Sequence, residues 1–318
     1  MNGDTDRALA TLIAILKANG YHFITPTPAT HARVIARSTR ARDLRDVFGW
    51  SLPFSGDVVG PELAELMMRA EILEQHGELF ASRVRLSSLG DDLIAHSAYP
   101  TAQHDAVFFG PDSYRFASFL RAELPSIAPR AHILDIGAGA GAGAIAAARV
   151  LPDAYYTLSD INAHALRLAA INWVMAHLGP VYFAVCDAIP EELPQHAPPL
   201  DCIIANPPYI ADAAHRAYRD GGAMHGAEVS LAWARAAAER LTRNGAFLLY
   251  TGSAIVDGED RLKAVLHETL RGFEVSYREL DPDVFGEELE REDYAGVERI
   301  SWPGMYHRDD IAAVASSS

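Results

Sequence analysis

The chain has 318 residues, 49% hydrophobic and 22% charged, which is ordinary for a globular protein of one large domain or two unequal ones. No run of 18 apolar residues exists, so no membrane-spanning helix is expected. The 13 histidines show no HExxH or Cys/His spacing of the kind that holds a metal. A net charge of −15 weighs against a partner held through phosphates over the whole surface.

In chain order, apolar residues at helical spacing over 8–16 predict a helix that stops at Asn19-Gly20, a pair suited to a helix end. Residues 25–30, with two prolines, read as a loop. Residues 31–45 hold five arginines and one acid. A solvated helix face is the plainer reading of that run, and a docking surface for RNA or an acidic partner the sharper one. Short helices are predicted at 42–50 and 61–68, the second opened by Pro61. Strands at 79–86 and 93–96 then form a hairpin. Residues 1–104 therefore read as an accessory, substrate-recognition domain, helical or winged-helix-like α+β.

Beyond residue 105 strands alternate with helices. Strand-like runs fall at 132–136, 155–159, 181–186, 202–205, 246–251, 273–278 and 297–302, with helical stretches at 142–150, 163–177, 231–241 and 261–270. The alternation implies an α/β fold over residues 105–318, a doubly wound, seven-stranded, mostly parallel sheet. Cys186 and Cys202 lie in apolar strand-like runs and read as reduced core residues. Together with the early acids of MNGDTDRALA, which has no signal-peptide core, they predict a cytoplasmic location.

The strand ending at Ile136 runs into Gly137-Ala-Gly139-Ala-Gly141-Ala-Gly143 and an alanine-rich helix. Glycines at such a junction let the backbone approach a ligand and bare the amides of a helix N-terminus. Alone, the loop fits a dinucleotide as well as other adenosine-bearing ligands, because Asp160 ends the next strand where a ribose-binding acid is expected. Asp135, two residues before the first glycine, has a task where the ligand carries a cationic amine. Asp187 follows the third strand, and Asn206-Pro207-Pro208-Tyr209 follows the fourth. Polar residues thus recur after four successive strands, at the edge where open α/β sheets bind ligands. Singly, each aspartate is more often a cap or a loop residue; their joint placement carries the functional reading. The Asn206 side chain and the Pro207 carbonyl form a pair of acceptors beside the Tyr209 ring, which suits a planar NH2 group.

These motifs, Asp135-x-Gly137-x-Gly139-x-Gly141, Asp160, Asp187 and Asn206-Pro-Pro-Tyr209, resemble those of class I S-adenosylmethionine-dependent methyltransferases with a Rossmann-like sheet. In that superfamily NPPY is similar to the tetrapeptide of enzymes that methylate a planar nitrogen. These are the protein glutamine N5-methyltransferases and the adenine N6 or guanine N2 nucleic-acid methyltransferases. Asp220-Gly-Gly222 with Gly226-Ala-Glu-Val-Ser-Leu231, and Phe109-Gly-Pro-Asp-Ser-Tyr114, resemble segments of the glutamine group. Gly110 departs from its Arg, and Tyr114 from its Glu.

The resemblance implies S-adenosyl-L-methionine as cofactor, held at Gly137, Gly139 and Gly141, with Asp135 near its ammonium and Asn206 beside it. Asp160 would meet the ribose hydroxyls and Asp187 the adenine amine. It also implies that Asn206 and Pro207 accept the N–H bonds of the methyl acceptor, with Tyr209 packing on that group or walling the pocket. The expected reaction is methyl transfer to a glutamine-type side-chain amide of a protein. The alternatives are a nucleic-acid base, with RNA approaching through Arg33–Arg45, or a small molecule. Neither a metal nor a membrane is expected to take part. A nicotinamide oxidoreductase is disfavoured, since no Tyr-x-x-x-Lys stands out and Lys17 and Lys263 are the two lysines. Residues 211–226, with Arg216, Tyr218 and Arg219, read as a lid or an ordinary connection. His215 and His225 within it read as surface residues rather than a base.

Overall fold

The computed structural model describes residues 3–101, 103–210, 220–284 and 286–308. Helix α1 (Asp4–Ala18) buries a stripe of Leu9, Leu12, Ile13 and Leu16 and is followed by Asn19-Gly20. Helix α2 (Pro28–Ile35) takes over the end of the expected loop. Pro28 sits in its first turn, where a missing N–H has no helical partner to lose, and the Thr27 hydroxyl accepts the Thr30 N–H at 3.2 Å. Then come α3 (Leu44–Phe48) and α4 (Gly56–Arg69), the latter kinked at Gly60 before Pro61. Strand β1 (Leu73–His76) pairs with β2 (Leu79–Ser82), and β3 (Val84–Leu89) with β4 (Asp92–Ser97), both antiparallel. The strand expected at 79–86 is therefore two strands in separate hairpins. The break falls at Arg83, where the Ser82 hydroxyl donates to the Val84 carbonyl at 2.7 Å.

The second part opens with α5 (Pro111–Glu123), which has no counterpart among the expected elements. It continues through β5 (His132–Ile136), α6 (Ala142–Val150), β6 (Tyr155–Asp160), α7 (Ala163–Met175), β7 (Val181–Val185) and β8 (Cys202–Ala205). A single turn, α8 (Ala223–Gly226), leads into α9 (Glu228–Arg240), β9 (Ala246–Tyr250), β10 (Ser253–Val256), β11 (Glu259–Asp260), α10 (Arg261–Thr269), β12 (Glu274–Asp281) and β13 (Val297–Arg308).

The strands form one Rossmann-like mixed sheet flanked by helices. Strands β7, β6, β5, β8 and β9 lie side by side and parallel. Antiparallel β13 follows; its Gly304–Arg308 half lies between β9 and β12, and its first half pairs with β10. All seven expected strands are present, and the short β10 and β11 extend the sheet to nine. Strand order reverses between β5 and β8, since the chain moves outward one way through β6 and β7 and the other way through β9. Such a reversal opens a crevice at the carboxyl edge of the sheet.

The first 100 residues share their packing with this sheet. One cluster of buried side chains runs from α1 and the β3–β4 hairpin into α6, α7 and β5. Buried Asn172 of α7 bonds to both backbone groups of Ala95 in β4, at 2.8 and 3.0 Å, and to the Ala140 carbonyl at 2.9 Å. Arg149 grips Asp92 through two nitrogens at 2.7 and 3.0 Å, and Arg167 meets Asp6 at 2.7 Å. Among the described residues no helix is long and apolar enough to cross a membrane.

Candidate active site

The register of the parallel strands brings the motif residues together. Ile136 pairs with Ser159 on one side and Ala205 on the other, and Asp160 pairs with Val185. The residues that follow each strand therefore leave the sheet at one edge. A cavity of about 330 Å³ opens there. Eight of the nine marked residues line it: Asp135, Gly137, Gly139, Asp160, Asp187, Asn206, Pro207 and Tyr209. Gly141 is not on the wall; it caps α6 with a left-handed φ of 79°.

The loop after β5 is shaped by close packing. Gly137 has φ 63°, and a Cβ there would lie 2.5 Å from the Trp233 ring. Gly139 has φ 54° and nothing within 4 Å of a Cβ position, so its backbone faces free space. The Asp160 carboxylate holds the loop: Oδ2 accepts the Gly139 N–H and Oδ1 the Asn162 N–H, both at 2.8 Å. Asp135 is buried, and its Oδ2 accepts the Ala144 N–H at 2.9 Å, one of the free amides at the start of α6. Burial pushes the Asp135 pKa up to about 8 against the lowering effect of that bond. Burial also raises Asp160, again opposed by its backbone bonds. Asp187 is exposed at the rim. Ile161 also lines the cavity and is 62% exposed, an apolar surface beside Asp160 that offers a face to a flat ring.

The other wall is built around Asn206. Its side-chain amide donates to the carboxylate of Asp112, in the first turn of α5. That donation turns the NH2 end of the amide toward Asp112, and the Asn206 Oδ1 is buried with no partner. Asp112 Oδ1 is likewise buried and unpartnered, and burial raises the Asp112 pKa. Tyr209 is buried edge-on against Trp302 at 6.0 Å and against Gly252, with its hydroxyl 3.4 Å from Asp112 Oδ2. Its ring is thus a wall of the pocket. Asp112, Phe116, Ile161 and Trp233 belong to the lining but were not marked as site residues by the motifs.

Within the segment 211–226, the described residues 220–226 are packed down. The Gly221 N–H donates to the Ile210 carbonyl at 2.9 Å, and Gly226 abuts the Tyr209 backbone. His225 lies beside the Tyr294 ring, 5.9 Å away. Residues 211–219, with His215, Arg216, Tyr218 and Arg219, lie outside the described residues. Both cysteines are free, and among the described residues no group of three or more His, Cys, Asp or Glu could hold a metal ion.

A family model described as the methyltransferase small domain matches residues 103–275. The chain belongs to this family. The match makes residues 103–275 a methyltransferase domain. The ribosomal RNA large subunit methyltransferase G of Pseudomonas syringae pv. tomato is 39% identical over 88 residues, which are 27% of this chain and 22% of that protein. The methyltransferase thus aligns with about a fifth of the length of this curated relative. Two solved structures are similar at lower identity. The 16S rRNA methyltransferase of T. thermophilus, solved with AdoMet and guanosine, is 16% identical with a TM-score of 0.45, covering 81% of this chain and 64% of that one. The tRNA methyltransferase of M. jannaschii is 16% identical with a TM-score of 0.45, covering 72% and 55%.

The methyltransferase's cavity fits a ligand that is cationic at one end and flat at the other. The buried Asp135 carboxyl is suited to an ammonium, the open backbone at Gly139 to close approach, and Ile161 with Asp187 to a ring bearing an amine.

Proposed function

We propose that the enzyme methylates an exocyclic amino group of a base in RNA, with guanine N2 as the favoured position. The observation that carries the reading is the pair of buried, unpartnered acceptors, Asn206 Oδ1 and Asp112 Oδ1, which belong to two residues of the cavity lining. A buried acceptor without a donor costs about 1–3 kcal/mol, so this wall is built for a substrate that brings N–H groups. Guanine presents N1–H and the N2 amino group side by side, donors only. Adenine and a carboxamide each set an acceptor next to their NH2 group, which an ionised Asp112 would repel. The name of the Pseudomonas relative, a ribosomal RNA methyltransferase, supports RNA as the substrate class.

In this mechanism Asp135, Asp160, Asp187 and the backbone at Gly137 and Gly139 hold the cofactor, with Gly141 setting the start of α6 behind them. Bound there, S-adenosylmethionine supplies an electrophilic methyl group on a sulfonium. Asn206 Oδ1 and the Pro207 carbonyl accept the amino N–H bonds and aim the nitrogen lone pair. Asp112 accepts the neighbouring ring N–H and keeps the Asn206 amide from turning over. Tyr209 walls the pocket and supports Asp112. The amino nitrogen would become acidic once it carried the methyl group and would pass its proton to water, so no strong base is required. Holding the reacting atoms in line contributes several kcal/mol. Residues 1–104 act as the substrate-recognition part and residues 105–318 as the catalytic part.

A second reading, a side-chain amide of a protein, keeps one observation. Burial raises the Asp112 pKa, and a protonated Asp112 donates to an amide oxygen. The two readings separate in one experiment: incubate the enzyme with methyl-labelled S-adenosylmethionine and cell extract, then divide RNA from protein. Label in N2-methylguanosine after digestion of the RNA is expected. Label confined to protein would overturn the reading, and label in N6-methyladenosine would overturn the guanine assignment.

A further inference from the structure

The arginine run of the first part begins at the cavity. Pro28, in the first turn of α2, is part of the cavity lining. At 1.5 Å per residue, α2 carries the chain roughly 12 Å away from that point. Along and beyond it Arg33, Arg37, Arg40, Arg42 and Arg45 are all exposed. Residues 28–50 contain five arginines and two acids, Asp43 and Asp46, in a protein whose net charge is −15. Arg42 meets Asp46 at 3.2 Å. Among the described residues no carboxylate lies within ion-pair distance of Arg33, Arg37, Arg40 or Arg45.

A buried charge lies under the same surface. Arg85 of β3 is 4% exposed, and its Nη2 stands 3.4 Å from Nδ1 of His31, a buried residue of α2. Its Nε has no partner, and no carboxylate faces it among the described residues. Instead its guanidinium lies 5.5 Å from the centre of the Phe23 ring, over which Arg45 also stands at 5.9 Å. Burial lowers the Arg85 pKa to about 10, which still leaves the group charged at neutral pH. Charge under a low-dielectric layer is screened less by salt than charge in water, so its field adds to that of the exposed arginines.

We propose that Arg33, Arg37, Arg40 and Arg45, backed by buried Arg85, hold the phosphate backbone of the substrate RNA while the target base passes Pro28 into the cavity. This rests on the RNA reading above. The acidic remainder of the surface repels phosphate, so the basic face sets the orientation of approach as well as the affinity. Phosphates recur regularly along a strand, which matches arginines spread along a path better than it matches a single anion.

The test compares the wild-type enzyme with an Arg33→Gln/Arg37→Gln/Arg40→Gln variant. Binding of a short fluorescein-labelled RNA hairpin is followed by anisotropy over a range of KCl. Loss of three phosphate contacts should shrink the slope of log affinity against log salt by about 2–3 and weaken binding at low salt on the order of tenfold or more. The KM for bulk ribosomal RNA should rise with kcat, the melting temperature and S-adenosylmethionine affinity unchanged. If label enters RNA yet the variant keeps the wild-type slope and KM, the surface is wrong and the RNA reading stands. Label found in protein alone, or binding of polyglutamate in place of the hairpin, would overturn both.

Discussion

The Asp112 carboxylate accepts from the Asn206 side-chain amide, and each of these two side chains keeps its Oδ1 buried without a partner. The bond makes the two residues one device: without Asp112 the Asn206 amide is free to turn its NH2 end toward the cavity, where it would oppose a donor. Asn206→Ala is expected to lower methyl transfer about a hundredfold or more, the scale for one preorganised group at a reacting centre. Cofactor affinity should change little. Asp112→Ala should reproduce most of that loss with the Asn206 side chain still present, in single-turnover assays. Wild-type turnover in the Asn206 variant would mean that the tetrapeptide is only a strand-ending turn.

Asp160 ties the loop after β5 to the start of α7 through the Gly139 and Asn162 amides. Asp160→Ala removes both bonds and the charged acceptor proposed for the ribose. Titration calorimetry should find no measurable S-adenosylmethionine binding, while circular dichroism keeps the wild-type spectrum, because the loop lies at the cavity and not in the core. Unchanged affinity would remove Asp160 from the cofactor site.

The strands of the sheet were legible because each is a short apolar run closed by a turn residue, and their polar termini fell on one edge as the alternation requires. What escaped was long-range or weakly patterned. Helix α5 mixes charged and aromatic residues, with Arg115, Arg121 and Glu123 among Phe116, Phe119 and Leu120, so its apolar stripe is faint. Asp112 then looks like a first-turn acid, and only folding brings it to Tyr209, 97 residues away in the chain. Asn172 is similar: a polar residue mid-helix reads as surface until β4, 77 residues distant, supplies its partner. Arg83 interrupts an otherwise continuous strand pattern through a local Ser82 bond, which no periodicity reveals.

Asp135 gives a pH dependence with a definite sign. Its folded pKa of about 8 lies above the value near 4 of an unfolded aspartate, so between about pH 4 and 8 the folded state binds the extra proton. The associated stability is therefore full at the acid end and is lost as pH rises through 8. Thermal melts of the cofactor-free enzyme should fall over that window relative to Asp135→Asn, which keeps an acceptor for Ala144 but cannot ionise. A cation beside Asp135 favours the carboxylate, so cofactor binding near pH 7 should release close to one proton, read by calorimetry in buffers of different ionisation enthalpy. Parallel melting curves for the two proteins would show that Asp135 does not titrate in this range.

Asn172 connects the first part of the chain to the cofactor loop. It is 1% exposed and serves three backbone groups, the Ala95 N–H and carbonyl and the Ala140 carbonyl between Gly139 and Gly141. Asn172→Leu keeps the volume and leaves those groups buried and unpaired, at about 1–3 kcal/mol each before relaxation. A loss on the order of 2–4 kcal/mol is expected in chemical denaturation, with an unchanged m-value if the enzyme still unfolds as a unit. Because Ala140 belongs to the loop, S-adenosylmethionine affinity should weaken several-fold as well. A variant that loses stability but binds cofactor at wild-type strength would separate the two roles, leaving Asn172 as a clamp on β4 with no hold on the loop.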